Sequence, residues 1–233
     1  MWNGKRKAIT ISFDDGVVQD IRLIEILNKY GLKCTFNINS GTLGKKGTLE
    51  RNGRIVPFDK VQKEDVRKIY EGHEVAVHTI THPNLRACTD EEIIRQVEED
   101  RKTLSELCGY EVVGMAYPGG GYLPEEHTVQ VVAERTGVRY ARTTGSSKTF
   151  GLQKDNYFCF FPSTYIIQDD FEKVVDEFLA LECDEPSLLY IWGHAFEMDA
   201  EFISWENLER ILKKLSGKED IFYGTNKEVL LDV

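Results

Sequence analysis

The sequence predicts an α/β fold, because stretches typical of strands and of helices alternate along all 233 residues. Short apolar runs rich in β-branched residues are followed by longer stretches whose apolar residues recur at helical spacing. No linker or low-complexity run interrupts this alternation, so we expect one domain over residues 1–233. A doubly wound open sheet and a closed barrel both fit this length and this order of elements.

The first elements form a βαβ unit. A buried strand is predicted over residues 8–11, a helix over residues 17–30 and a second strand over residues 34–39. Strands joined by a helical crossover are parallel. Asn52-Gly53 lies between two short alternating runs, which predicts a hairpin within residues 41–57 that lies off the barrel.

The alternation continues to the end of the chain. Apolar periodicity and glycine stops predict further helices over residues 60–70, 90–108, 125–135, 170–181 and 205–215. Apolar runs predict further strands over residues 74–78, 112–117, 139–143, 158–161, 188–192 and 221–225.

The composition narrows the classes of partner. The chain has 39 acidic and 29 basic residues, a net charge of −10, which argues against nucleic acid or an anionic membrane as the main partner. The N-terminus lacks the apolar core of a signal peptide, so we expect a cytoplasmic protein, or an extracellular one if a leader has been removed. Five cysteines without metal-type pairing favour reduced thiols over disulfides.

Two adjacent aspartates close the first predicted strand. Successive strand residues face opposite sides, so only one of Asp14 and Asp15 could reach a given site if the strand continued. Gly16 permits a turn that lets both converge. Converging carboxylates repel unless a cation or an acid partner lies between them, which suggests a metal ligand beside a general base. The alternative for this stretch alone is a surface turn.

Two histidines follow the strand predicted at residues 74–78. In an extended chain His78 and His82 would lie about 13 Å apart, too far to share an ion. Pro83 disfavours helical geometry at His82, so we expect a tight turn that returns His82 to His78. Neutral imidazoles suit zinc and similar divalent ions, with Asp15 as the candidate third ligand. Two unrelated loop histidines are the alternative.

These motifs resemble those of the polysaccharide deacetylases, carbohydrate esterase family four, along almost the whole chain. Ser12-Phe13-Asp14-Asp15-Gly16 is similar to the family's first motif, and the resemblance implies that Asp14 is the catalytic base and Asp15 a metal ligand. His78-Thr79-Ile80-Thr81-His82 matches the second motif, which supplies the two metal histidines. The resemblance also implies a distorted parallel (β/α) barrel of about seven strands.

Two later motifs extend the resemblance. Tyr117-Pro118-Gly119-Gly120 is similar to the third motif, whose backbone amide after the proline, here that of Gly119, helps to hold the oxyanion. Tyr190-Ile191-Trp192-Gly193-His194 resembles the last motif, which implies that His194 is the general acid and that Trp192 lines the acyl pocket. Asp14, Asp15, His78, Pro118 and His194 all follow predicted strands, where a barrel collects its catalytic residues.

The chain departs from the family pattern at two places. The family's third motif has an arginine two positions before its proline, and this chain has Ala116 there. The fourth motif, usually an Asp-Trp stretch that tunes the histidine, is replaced by something like Tyr140-Ala141-Arg142-Thr143-Thr144. Arg142 is the candidate for the missing cation beside the catalytic aspartate.

Other polar residues give weaker signals. We expect His127 to lie on the surface, and His73, which opens a strand near the site, to be structural. The run Glu98-Glu99-Asp100 is typical of a solvated helix face. For Glu197, just after His194, contact with substrate and exposure to solvent are both open.

The pattern predicts a metal-dependent hydrolase that removes acetyl groups from an N-acetylated sugar or oligosaccharide. One divalent ion, Zn²⁺ or alternatively Co²⁺, would be held by Asp15, His78 and His82. A hydrolase of another C–N bond, in a small cyclic amide or ureide, is the nearest alternative. A carbohydrate-binding barrel without turnover is a second, although binding alone needs neither Asp14 nor His194. The sequence leaves the oligomeric state open.

Overall fold

The computed structural model describes residues 1–119 and 123–231. Its strands are β1 (Lys7–Asp14), β2 (Thr35–Ile38), β3 (Thr48–Arg51), β4 (Arg54–Pro57), β5 (Glu74–Val77), β6 (Gly114–Ala116), β7 (Tyr140–Arg142), β8 (Thr164–Tyr165), β9 (Ser187–Gly193) and β10 (Ile221–Tyr223). Its α-helices are α1 (Asp20–Lys29), α2 (Val66–Ile69), α3 (Asp90–Cys108), α4 (Glu126–Arg135), α5 (Phe171–Ala180), α6 (Phe196–Asp199), α7 (Trp205–Leu215) and α8 (Asn226–Leu230).

Seven strands form one curled parallel sheet, in the order β7-β6-β5-β2-β1-β9-β8. Strand β10 also pairs in parallel with β1, along residues 7–9. A bridge between Arg142 and Phe160 joins β7 to the segment that leads into β8. The structure thus confirms the predicted distorted parallel barrel and not the open doubly wound sheet.

Alternation along β1 separates an apolar outer face from a polar interior. Ile9, Ile11 and Phe13 belong to the main apolar core. On the other face of β1, the hydroxyl of Thr10 donates to Asn226 Oδ1 over 2.8 Å. The hydroxyl of Ser12, which lies between Thr10 and Asp14 on this face, accepts from Asn37 Nδ2 over 2.8 Å. The barrel interior therefore carries a line of buried polar groups that leads up to Asp14.

Helix α3 is long, it spans the predicted residues 90–108, and it ends at the predicted glycine. The Thr89 hydroxyl accepts a hydrogen bond from the backbone N–H of Glu92, and Gly109 ends the helix with a φ of 77°. Within residues 1–119 and 123–231, no helix is both long enough and apolar enough to cross a membrane.

The antiparallel pair β3 and β4 lies outside the parallel sheet, within the range predicted for a hairpin. Its turn residues Asn52 and Gly53 have φ values of 51° and 69°, the left-handed geometry that such two-residue turns require. The Asn52 amide donates to the carbonyl of Ala200 over 3.0 Å, and Arg54 pairs with Glu201. These contacts fasten the hairpin to the chain that follows α6.

Several predicted elements are wrong in extent. The helix expected over residues 60–70 is reduced to α2 and a preceding 3₁₀ turn, because residues 60–61 bond back to Val17 and Gly16 instead. The strand expected over residues 158–161 is largely a 3₁₀ turn, and the strand that pairs with β9 is β8. Helices α6 and α8 are too short to show helical periodicity in the sequence.

Candidate metal and catalytic site

A cleft of about 770 Å³ opens where strands β1, β2, β5 and β9 end. The catalytic residues of a parallel barrel are found at this edge, because side chains from several strand ends converge there. Five residues singled out from the sequence line the cleft: Asp15, His82, Gly119, Trp192 and His194.

The turn after β1 brings Asp15 to the cleft, while Asp14, the last residue of β1, is buried in the barrel interior. Asp15 has a φ of 83° and Gly16 a φ of 63°, so the chain reverses through two left-handed residues, not through the glycine alone. A Cβ at Gly16 would lie 2.9 Å from Ile38 Cβ, which leaves room only for glycine. A non-glycine residue in this conformation costs about 1–3 kcal/mol, and such strain is typical of functional sites.

Asp15, His78 and His82 converge on one point. Asp15 Oδ1 lies 3.9 Å from Nε2 of His78 and 3.9 Å from Nε2 of His82. All three potential ligand atoms lie within 4.8 Å of one another. Thr79 and His82 have left-handed φ values of 69° and 58°. They form the tight turn that brings His82 back to His78, as predicted from Pro83.

The surroundings of His78 suit the role of a metal ligand. Its Nδ1 lies 2.8 Å from the carbonyl oxygen of Ala116, which requires a hydrogen on Nδ1 and leaves the lone pair of Nε2 facing Asp15. Burial is the main reason that the pKa of His78 falls to about 4, although the neighbouring aspartates oppose the shift. A neutral imidazole with a fixed tautomer fits a divalent ion.

Asp100 supports the turn that carries His78. Its carboxylate accepts hydrogen bonds from the backbone N–H of Ser40 over 2.7 Å and of His78 over 3.1 Å. Asp100 is fully buried, so assigning it to a solvated helix face was wrong. Glu98 on the same helix is partly buried and Glu99 is exposed, whereas Asp100 is buried because it packs against the turn that carries His78, a tertiary contact that the local sequence does not indicate.

Asp14 lies in the barrel interior and contacts Arg142. The guanidinium Nη2 of Arg142 donates to both carboxylate oxygens of Asp14, and Asn37 Nδ2 donates to Oδ1 over 2.8 Å. Burial by itself would raise the pKa of Asp14, but Arg142, with His78 and His194, more than offsets it and holds the pKa below its ordinary value. Asp14 is therefore ionised at neutral pH, as a general base must be.

The Asp14–Arg142 pair predicts a large effect on stability. Both side chains are buried, so Arg142→Met leaves an uncompensated carboxylate inside the barrel. We expect the free energy of unfolding to fall by about 3–5 kcal/mol, measured by urea denaturation at pH 7. The double variant Asp14→Asn/Arg142→Met should recover much of that loss, because the stranded charge is gone. Additive losses in the two single variants would show that the two residues are not coupled.

His194 is held by Glu197, a residue that the sequence analysis left open. Glu197 Oε1 lies 2.9 Å from His194 Nδ1, Oε2 accepts from the backbone N–H of His194 over 3.0 Å, and the Tyr165 hydroxyl donates to Oε1. Burial would lower the pKa of His194, but the charge and hydrogen bond of Glu197 outweigh it and raise the pKa to about 9. Glu197 is only 2% exposed, so it is a buried partner of His194.

Trp192 and Tyr165 form an aromatic wall beside His194. Their rings are stacked with centroids 4.0 Å apart and planes 14° apart, and both line the cleft. The guanidinium carbon of Arg142 lies 4.7 Å from the centroid of the Trp192 ring. Trp192 therefore borders both the cleft and the cation beside Asp14.

Lys60 is a further site residue that sequence reasoning missed. Its ammonium donates to the backbone carbonyl of Asp15 over 2.7 Å and lies 3.8 Å from Asp15 Oδ1. Burial would raise the pKa of Asp15, but Lys60, together with the three site histidines, lowers it to about 2. The sequence analysis placed Lys60 at the start of a helix over residues 60–70. A residue at such a position is usually on the surface, so no contact between Lys60 and Asp15 was expected.

The third motif lies at the same edge of the barrel. Gly119 lines the cleft next to His82, while Tyr117 is buried and its hydroxyl donates to the carbonyl of Phe158 over 2.9 Å. Pro118 and Gly119 also line an adjoining pocket of about 340 Å³. Gly120 lies outside the described residues.

The two remaining histidines lie away from the cleft. His127 is exposed and its Nε2 lies 2.7 Å from Asp90 Oδ1, as expected of a surface residue. His73 accepts a hydrogen bond from the backbone N–H of Cys34 over 3.2 Å. It precedes β5, at the end of that strand opposite His78, so placing it near the site was wrong.

A family model described as "Polysaccharide deacetylase" matches residues 2–141 of this chain. Among curated proteins, a chitooligosaccharide deacetylase from Rhizobium leguminosarum bv. trifolii is 29% identical over 104 residues. That match covers 44% of this chain and 41% of the relative, so the chain spans less than half the length of this relative.

Solved structures share the fold at low identity. The carbohydrate esterase family four domain of a multidomain xylanase, from the hindgut metagenome of Trinervitermes trinervoides, has a TM-score of 0.60 at 17% identity, covering 96% of this chain and 89% of that one. A pseudoenzyme of the same family from Bacillus anthracis has a TM-score of 0.56 at 16% identity, covering 97% and 66%. Because this fold also occurs in a pseudoenzyme, the fold does not indicate catalysis by itself, and evidence for catalysis has to come from the residues of the cleft.

Proposed function

The chain belongs to the polysaccharide deacetylase family, and from this membership we propose that it removes acetyl groups from an N-acetylated sugar or oligosaccharide by metal-dependent hydrolysis. One observation carries the proposal: Asp15 and His82, two members of a three-residue ligand set completed by His78, line the same cleft as His194, which is backed by a glutamate, and the buried Asp14 directly precedes Asp15. The deacetylase activity of the curated relative supports this choice of substrate.

Asp15, His78 and His82 would hold the divalent ion, with Zn²⁺ as the first candidate because two imidazoles and a carboxylate suit it. A divalent ion bound there would polarise the acetamide carbonyl and make water a better nucleophile near neutral pH. The ion's remaining positions would face the cleft, since His82 is the most exposed of the three ligands.

The protein's own groups supply the proton transfers. Asp14, kept ionised by Arg142, would accept a proton from the attacking water. The backbone N–H of Gly119 would donate to the carbonyl oxygen of the acetyl group, which becomes an oxyanion when water adds to the carbonyl carbon. His194, kept protonated by Glu197, would give its Nε2 proton to the departing amine, which leaves poorly without one.

The same cleft geometry would serve a C–N hydrolase of small cyclic amides or ureides, so the decisive experiment is a substrate panel. Purified protein with added zinc or cobalt is incubated with N-acetylglucosamine oligomers, acetylated xylan and cyclic ureides, and the release of acetate or the formation of a ring-opened ureido acid is measured. Acetate from the N-acetylglucosamine oligomers supports the proposal. Ring opening of a ureide without acetate release from any substrate would overturn the proposal in favour of the cyclic-ureide hydrolase, and binding of oligomers without any reaction would indicate a non-catalytic barrel.

We expect the purified protein to bind one divalent ion per chain. The His78→Ala variant should bind less than about one tenth of an equivalent under the same conditions, because it removes a buried ligand with a fixed tautomer. Elemental analysis after gel filtration measures this. The matched control is His127→Ala, whose histidine is exposed and lies away from the cleft. Equal metal content in the parent protein, His78→Ala and His127→Ala would show that His78 is not a metal ligand and would contradict the proposed site.

A further inference from the structure

The charge of the cleft differs from that of the chain as a whole. The chain has ten more acidic than basic residues, yet Asp15 is the only carboxylate among the described residues that line the cleft. Arg51 and Lys60 contribute cationic side chains to the same lining. A cleft lined by one sign of charge attracts ligands of the opposite sign, even when the net charge of the protein repels them.

Most charged groups of the cleft have a partner. The ammonium of Lys60 is bonded to the backbone of Asp15 and faces its carboxylate, and His194 is bonded to Glu197. Arg51 has no hydrogen bond or ion pair from its side chain to any residue within 1–119 and 123–231. Arg51 is therefore the cation of the cleft that is available to a ligand.

The hairpin holds Arg51 over the cleft. Arg51 pairs across the hairpin with Arg54, and it is Arg54 that takes the carboxylate of Glu201. Leu49, two residues before Arg51 and on the same face of β3, also lines the cleft. The bond from Asn52 to the carbonyl of Ala200 fixes the turn between the two arginines. Arg51 thus projects from an anchored turn and not from a free loop.

The charge of Arg51 reaches the aromatic wall next to His194. Burial raises the pKa of the Tyr165 hydroxyl and Glu197 raises it further, whereas Arg51 acts in the opposite direction. Arg51 and His194, the proposed proton donor, line the same cleft, which is large enough for a sugar ring as well as an acetamide.

We propose that Arg51 binds an anionic substituent of the substrate, a carboxylate or a phosphate, so that the preferred substrate is an acidic N-acetylated carbohydrate. The inference rests on the proposed deacetylase function. A guanidinium suits this role because its fork of N–H donors matches both anions in a bidentate manner.

The test compares three ligands that share the N-acetylglucosamine ring: the neutral sugar, its 3-O-lactyl ether, which carries a carboxylate, and its 6-phosphate. Dissociation constants are measured by calorimetry on zinc-loaded protein in an Asp14→Asn background, which prevents turnover. Arg51→Gln should weaken binding of at least one anionic ligand by about tenfold or more, the usual range for a charge-assisted hydrogen bond, and change binding of the neutral sugar less than about twofold. The control is Arg6→Gln, which removes an exposed arginine that pairs with Asp184 and does not line the cleft, and it should leave the ratio of anionic to neutral binding unchanged.

An effect on the lactyl ether alone or on the phosphate alone supports the proposal and identifies the anion. Equal effects of Arg51→Gln on neutral and anionic ligands, or tighter binding of the neutral sugar by the parent protein, would overturn it. The assay is separate from acetate release. A protein that releases no acetate but loses anion preference on Arg51→Gln would contradict the deacetylase function and leave the assignment of Arg51 standing.

Discussion

Asp15→Asn is expected to lose its divalent ion, whereas Asp14→Asn should keep the ion and lose turnover. Asp15 Oδ1 faces Nε2 of both histidines, so a neutral amide there removes the only anionic ligand of the set. We expect metal affinity to fall by more than about 100-fold. Loss of a residue that only hydrogen-bonds to a metal ligand already lowers metal affinity by about 10–100-fold, and Asp15 would be a ligand itself. High zinc concentrations should restore part of the activity.

Asp14 occupies a different environment, and its substitution should have a different result. Its carboxylate is bonded to Arg142 and Asn37 and is not part of the ligand set. An amide cannot accept the proton of water, so we expect turnover to fall by about 10²–10⁴-fold at every zinc concentration. Substrate should still bind with near-normal affinity, because the contacts of the ground state remain.

The measurement is a zinc titration by competition with a chelator, followed by acetate release from one reactive N-acetyl substrate, for both variants and the parent protein. Circular dichroism spectra and unfolding curves serve as the control, because Asp14→Asn leaves the buried Arg142 without its anion. If Asp14→Asn loses the ion and Asp15→Asn retains it, the two roles are exchanged. If both variants keep full activity, the catalytic assignment fails.

Local sequence patterns predicted the parts of this structure that depend on neighbours in the chain. The strand-turn at residues 8–16, the helix α3 with its glycine stop and the hairpin turn at Asn52 all follow from propensity and spacing. Helix α8 also had a local signal, the capping box formed by Thr225 and Glu228, although the strand predicted through residue 225 concealed it. That residues 1–233 form one domain stays a prediction.

Contacts between distant strands were harder to predict. Strands β1 and β7 are separated by three others in the sheet, and Arg142 reaches Asp14 only because the sheet curls. No local feature of the sequence suggested this pair. The family pattern has an arginine where this chain has Ala116, and that missing cation made Arg142 the candidate partner of Asp14. No departure from a family motif pointed to Lys60 or Asp100. Both residues are buried by tertiary packing, which the local sequence does not indicate.

The proposed proton donor shows why a local pattern can be present and still be ambiguous. His194 and Glu197 are three residues apart, which is consistent with contact across a helical turn but also with an exposed glutamate. The outcome depends on α6, which follows β9 directly and turns Glu197 under the histidine. That short helix supplies the carboxylate that the altered fourth motif lacks, so we infer that Glu197 holds His194 in its protonated form.

Glu197→Gln is expected to move the basic limb of the pH–rate profile to lower pH. The proposed mechanism requires Asp14 ionised and His194 protonated, so kcat/KM should rise as Asp14 loses its proton and fall as His194 loses its own. In the parent protein the second step lies near the His194 pKa of about 9, or lower once a divalent cation is bound beside Asp15. Without the Glu197 charge, burial dominates, and the limb should move down by at least about one pH unit.

The control for Glu197→Gln is Glu206→Gln, which changes an exposed glutamate on α7 and should leave the profile in place. His194→Ala should lower turnover by about 10²-fold or more and abolish the basic limb. A Glu197→Gln enzyme whose basic limb coincides with that of the parent protein would show that Glu197 does not hold the proton on His194.

Unfolding gives a second measurement that does not depend on turnover. The folded pKa of His194 lies above its ordinary value of 6.5, so the stability that it contributes is fully present below pH 6.5 and is lost as the pH rises through about 9. The free energy of unfolding of the parent protein should therefore decline across this window, and that of Glu197→Gln should change less. Equal declines in the two proteins would mean that another group titrates there, and that the arrangement of His194 and Glu197 does not stabilise the imidazolium.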